Sequence, residues 1–161
     1  MLVEQPFFGT WNEENKAFWV STMQDHQDHD RLISGSWFDE EENGEFKGCF
    51  FGCAMQTDES PLEKAITAMG LPDWLIYLAE KIYEGLPEDE SLSFPVNLLK
   101  SIPVGVNLET VKHKLAIARL TKLAEENKSV SECINSVIEL HKLEMIGKKT
   151  TNNDWSAAWS A

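Results

Sequence analysis

The side chains best able to do chemistry lie in the first third of the chain: His26, Asp30, Cys49 and Cys53. His26 and Asp30 are four residues apart, so a helix through both would set a carboxylate beside an imidazole. That arrangement fixes a histidine tautomer in general acid–base sites and in binding pockets alike. Adding Cys49 completes, on paper, a Cys–His–Asp set able to activate a thiol. Each of the three also has an ordinary role as a cap or a packed core group. In Gly48-Cys49-Phe50-Phe51-Gly52-Cys53 the two thiols are again four apart and would share a helix face. They amount to half of a structural zinc site, which needs two more ligands, so no metal and no cofactor is expected. Trp37 and Phe38 offer aromatic surface, Lys47 a cation, and a helix start near Gly48 would offer open N–H groups. The candidate ligand-binding set is therefore His26, Asp30, Trp37, Phe38, Lys47, Gly48, Cys49 and Cys53. His29 reads as solvated, and His113 and His141, each beside a lysine, as surface or boundary positions.

Helices must position these groups. Residues 1–12 read as an extended arm, and Asn12 to Ile33 as one or two helices ending at Gly35. Asn43-Gly44 is a turn signal between Trp37-Phe38 and Phe46, which predicts a small hairpin near 36–47. Ser60-Pro61-Leu62-Glu63 has the form of a capping box with proline at the first helical position, and that helix should stop at Gly70. The next starts at Pro72-Asp73, with an apolar face of Trp74, Leu75, Leu78 and Ile82, and ends at Gly85-Leu86-Pro87. A short helix near Phe94-Pro95 follows. Asn107 caps another with the stripe Leu108, Val111, Leu115, Ala118 and Leu123, and Ser129 or Ser131 begins one closed by Gly147. The fold class expected is mainly α, a compact bundle of six or seven short helices over residues 1–147. Residues 148–161 form an Ala/Trp-rich tail, in which Trp155 and Trp159 would share one side of a helix. Two indoles need cover, either from the body or from a second copy of the chain, so a homo-oligomer through this tail is an expectation.

Composition restricts the partners. The chain has 161 residues, 27 acidic side chains against 14 basic ones, and a net charge of −13. Residues 1–90 hold 20 acidic and 5 basic side chains, whereas residues 91–161 hold 7 and 9. Affinity for duplex DNA or RNA comes from neutralising phosphates with Lys and Arg, so direct nucleic-acid binding is not expected. The acidic runs Asp39-Glu40-Glu41-Glu42 and Glu88-Asp89-Glu90 read as solvated loops, or as a surface imitating a nucleic-acid backbone. Three cysteines in a chain without export signals argue against a disulfide framework, and Cys133 reads as a packed core group. With no apolar run of membrane length, a cytoplasmic location is expected. Walker loops, dinucleotide glycine fingerprints, His-Glu-x-x-His and Gly-x-Ser-x-Gly are all missing from the sequence.

Several motifs occur together: His26-x-x-x-Asp30-x-Leu32-Ile33-x-Gly35, Trp37-Phe38, Lys47-Gly48-Cys49-x-x-Gly52-Cys53, Gly70-Leu71-Pro72-x-Trp74-Leu75 and Glu80-x-Ile82-x-Glu84-Gly85-Leu86-Pro87. As a set, with Phe94-Pro95-x-x-Leu98-Leu99, this resembles small uncharacterised proteins of phage and bacterial genomes. The resemblance covers roughly residues 22–125. Those proteins look alike in a Gly-Cys-Ala-Val-Gly-Cys element, a helix ending in Glu-Gly-Leu-Pro and a tail of Ala and Trp repeats. Here Phe50-Phe51 replaces the small pair, and Gln56 and Asp58 stand about where the others carry histidines.

The resemblance implies a setting among mobile elements. The function expected is a non-enzymatic binding protein, a phage counter-defence factor that sequesters a small nucleotide-like host signal or blocks a host defence protein. The alternatives are a small enzyme using His26, Asp30 and Cys49, and an acidic nucleic-acid mimic occupying a basic cleft on a host protein.

Overall fold

Asn12 starts the first helix by accepting the Asn15 N–H on its side chain at 2.8 Å, as an N-cap should. The structure is a computed structural model and describes residues 10–40 and 44–160. Among these, the chain is mainly α: nine α-helices, one 3-10 turn and a two-stranded ribbon. Most of the expected arm and the centre of the expected hairpin turn lie outside the described residues. The chain divides into two compact units, residues 1–106 and 107–161, so the division falls well before the boundary anticipated at 147. It nearly coincides with the charge split, for the first unit holds 20 acidic and 6 basic side chains and the second 7 and 8.

In the first unit, α1 (Glu13–Asp28) packs against α2 (Phe50–Met55), α3 (Pro61–Met69) and α6 (Phe94–Ser101). Asn15 is buried on α1, and its amide donates to the Thr10 and Met69 carbonyls at 2.7 Å each, which ties the helix to the end of α3. Lys16 donates to the carbonyls of Lys100 and Ile102, placing a cation at the negative end of α6. The short strands β1 (Asp39–Glu40) and β2 (Phe46–Lys47) pair antiparallel, with Asp39 opposite Lys47 and Glu40 opposite Phe46. Phe38 and Phe46 bring their rings within 5.2 Å, as the hairpin reading required. The helix α4 (Asp73–Gly85) packs on α2 and α3, and α5 (Glu88–Ser91) on α6. Trp19, Met23, Phe50, Phe51, Met69, Ile76, Tyr83 and Leu99 form the buried centre, each worth about 1.5–3 kcal/mol of apolar transfer for a side chain of this size.

Two local expectations are corrected. The capping box at Ser60 does not form: Ser60 sits at φ 50 with no side-chain cap bond, whereas a capping residue needs an extended backbone. The helix still starts at Pro61 and stops at Gly70, whose φ of 65 suits glycine. On α4 the buried face is Ile76, Ala79, Glu80 and Tyr83, while Ile82 is exposed. The apolar residues of α4 are spread over more than one face, so two sets satisfy the helical period. Packing against α2 selects the one that carries a carboxylate.

In the second unit, α7 (Glu109–Glu126) and α8 (Ser131–Met145) are joined by the 3-10 turn Lys128–Val130 and pack through Ile117, Leu120 and Ala124 against Ile134 and Ile138. Val111, Leu115 and Leu123, expected to face inward, are exposed. The tail contains a helix, α9 (Asn152–Trp159), which docks on α8 and is started by a complete capping box between Thr151 and Asp154. Trp155 donates to Thr150 Oγ1 at 2.7 Å, and Ala158 is buried. Trp159 is 63% exposed, so the two indoles do not share one environment.

Candidate functional site

The segment 35–37 lies as a strap over the start of α2, and two glycines make this possible. A side-chain carbon on Gly48 or Gly52 would collide with the Trp37 carbonyl, so the Gly-x-x-x-Gly spacing is a close-packing device for backbone against helix. The strap is fastened by the Cys49 N–H to the Ser36 carbonyl at 2.7 Å, and behind it the Gly48 N–H donates to Arg31 at 2.9 Å. Gly52 N–H points at Cys49 Sγ, 3.4 Å away, making that thiol the helix cap. The amides of Gly48, Cys49 and Gly52 are thus engaged within the chain.

Between the strap and α4 lies a pocket of about 240 Å³ lined by Gly35, Ser36, Trp37, Glu80, Lys81 and Glu84. Glu80 is 4% exposed, and neither of its carboxylate oxygens makes a hydrogen bond of good geometry, although the Cys49 thiol and the Phe51 backbone N–H lie close enough to favour its charged form. Burial raises its pKa above the usual carboxylate range; the Cys49 thiol nearby favours the ionised form and offsets part of that rise. Burial, followed by the Glu80 carboxylate, pushes the Cys49 thiol up, so it is held protonated. Cys49, Glu80 and Glu84 each bring one donor atom within 4.8 Å of the others. Glu84 is anchored to the strap, its Oε2 accepting the Gly35 N–H at 2.8 Å. The Tyr83 hydroxyl is fully buried without a partner, within electrostatic reach of Cys49, Cys53 and Glu80.

The expected site residues are only partly brought together. Trp37, Gly48 and Cys49 belong to this strap and helix start. His26 is buried elsewhere on α1, its ring 5.4 Å from Phe46 and its Nδ1 3.5 Å from Arg31. Desolvation first, and then the Arg31 charge, lower its pKa to about 4. Asp30 lies past the end of α1, exposed and at φ 52, so the helical pairing with His26 does not form. Cys53 directs its thiol to the carbonyls of Arg31 and Gly48, and burial raises its pKa to about 12. Lys47 belongs to the ribbon, and Phe38 lies just before β1 with its ring against Phe46.

Glu80, Glu84 and Tyr83 were not singled out from the sequence. The available signal was a carboxylate pair at i, i+4 on a helix whose burial register was ambiguous. In the second unit, His113 and His141 also meet, Nδ1 to Nδ1 at 3.0 Å, with the His141 ring 4.9 Å from Trp155. One imidazole must donate and the other accept. Burial is the main cause that lowers the His141 pKa, followed by His113. A cleft of about 550 Å³ adjoins them, bordered also by Asn107, Lys112 and Glu144. No helix among the described residues is long and apolar enough to cross a membrane. Compared with protein-family models, curated proteins and solved structures, the chain gives no match.

Proposed function

We propose that this chain is a non-enzymatic binding protein that captures a small nucleotide-like ligand in the Trp37 pocket, and that it serves a phage as a counter-defence factor. The observation that carries the reading is Glu80. A buried polar group without a partner costs about 1–3 kcal/mol, more when charged, and a partner arriving from outside would remove that cost. Glu80 lines a pocket that Trp37, 43% exposed, also lines. Stacking of a base on an aromatic ring is worth about 1–3 kcal/mol. A pocket of about 240 Å³ is smaller than the roughly 300–1,000 Å³ usual for drug-sized ligands, so it suits one part of a nucleotide, with the rest lying outside.

Carboxylates accept the amino edge of a base, and Lys81 on the same rim pairs with a phosphate. Capture rather than turnover is supported by the state of the thiol: burial keeps Cys49 protonated, and the neutral thiol is not the nucleophilic form. The counter-defence setting rests on the sequence resemblance. The test is to incubate the protein with a panel of nucleotides, denature it, and identify what is released by chromatography. Intact nucleotide retained by the wild type and lost at least tenfold in Trp37→Ala is the expected result. Altered nucleotide would establish catalysis, and no retention would remove the nucleotide reading.

A further inference from the structure

We infer that Cys49, Glu80 and Glu84 form a binding site for a divalent cation of the zinc type bordering the Trp37 pocket, which both carboxylates line. The inference rests on the reading that this pocket receives an external partner, and it names the chemistry of that partner. One sulfur and two carboxylate donors stand within 4.8 Å of one another. Zinc lies about 2.3 Å from sulfur and about 2.0–2.2 Å from oxygen, so side-chain adjustments of roughly 1 Å close the three around one ion. Glu84 is exposed and has one oxygen left over for this, because only Oε2 is held by Gly35.

Two observations besides the cluster point the same way. Glu80 is 4% exposed, lines the pocket and makes no hydrogen bond of good geometry on either oxygen. The Tyr83 hydroxyl, also buried and unpartnered, lies within electrostatic reach of Cys49 and Glu80.

A bound cation displaces the Cys49 proton, so the thiol that is protonated in the free protein becomes a thiolate ligand. The Gly52 N–H directed at Cys49 Sγ and the Gly35 N–H bound to Glu84 are the outer contacts that orient ligands and offset their charge. A thiolate donor selects zinc, cobalt or ferrous iron over magnesium and calcium, which prefer all-oxygen sites. Three protein ligands leave a position toward the pocket, where a ligand oxygen or water binds. An ion there also removes an electrostatic obstacle to the proposed ligand, since two carboxylates repel a phosphate that Lys81 alone does not balance.

Cobalt(II) is the probe, titrated into the full-length reduced protein. One equivalent should bind, with a sulfur-to-cobalt charge-transfer band that zinc displaces. Cys49→Ser should abolish the band, Cys53→Ser and Cys133→Ser should keep it, and Glu84→Gln should weaken binding at least tenfold. Absence of binding, a band that survives Cys49→Ser, or affinity within about twofold of wild type in Glu84→Gln would overturn the site. Should Cys49→Ser fail to fold, the exposed Glu84→Gln change decides alone. Nucleotide retention measured with zinc and with a chelator separates the two readings: cobalt binding without retention leaves the cation site and removes nucleotide capture, and retention without cobalt binding does the reverse.

Discussion

Replacing Gly52 by alanine tests the strap on which the pocket depends. The added carbon would collide with the Trp37 carbonyl, a backbone atom that no rotamer can move aside. Overpacking of a tight site costs about 1–3 kcal/mol, and a clash with main chain belongs at the top of that range. Relief requires residues 36–37 to lift, which breaks the 2.7 Å bond from the Cys49 N–H to Ser36 and forfeits about 1 kcal/mol more. Against this, alanine in place of helical glycine gains about 1 kcal/mol of propensity. The net expectation is a loss of about 2–3 kcal/mol. With urea slopes of about 1–3 kcal/mol/M, the unfolding midpoint should fall by roughly 1 M or more. Gly85→Ala is the matched control, because nothing lies within 4 Å of its added carbon. That variant should be neutral or gain up to about 1 kcal/mol. Urea unfolding followed by circular dichroism and tryptophan fluorescence reads both. If Gly52→Ala behaves like Gly85→Ala, the Trp37 backbone does not rest on α2 and the pocket wall inferred from it is wrong.

Two further outcomes follow from particular groups. His26 has a folded-state pKa of about 4 against an ordinary 6.5, so its contribution to stability is present above the unfolded value and is lost as pH falls from there toward 4. About 2 kcal/mol of the stability lost between about pH 7.5 and about pH 5 should therefore vanish in His26→Gln, as read from urea midpoints at the two pH values; an unchanged pH dependence would show that the imidazole is not buried neutral. On α9, Trp155→Phe removes the bond to Thr150 Oγ1 and should cost about 1 kcal/mol, whereas Trp159→Phe, at an exposed ring, should stay within about 0.5 kcal/mol. Equal effects in thermal melts would contradict the Trp155–Thr150 bond.

The sequence by itself determined the mainly α class, most helix boundaries, the ribbon and the acidic character of the first unit. These depend on local signals that act within a few residues: Asn12 as a cap, Pro61 and Gly70 as start and stop, Gly147 at φ 77 closing the region after α8. It also marked Cys49 and Gly48 as special, though for thiol chemistry and open helix N–H groups rather than for a strap. Only the tertiary structure decided which face each helix buries. On α4, Leu75, Leu78 and Ile82 satisfy the helical period as well as Ile76, Ala79 and Tyr83 do, and the choice between them belongs to α2 across the interface. That choice puts Glu80 inside, beside Cys49. It also sets His26 against Phe46 and leaves Asp30 beyond the end of its helix. Spacing along one chain states which residues can share a face, but the partner surface selects the face, and in this protein that selection makes the pocket.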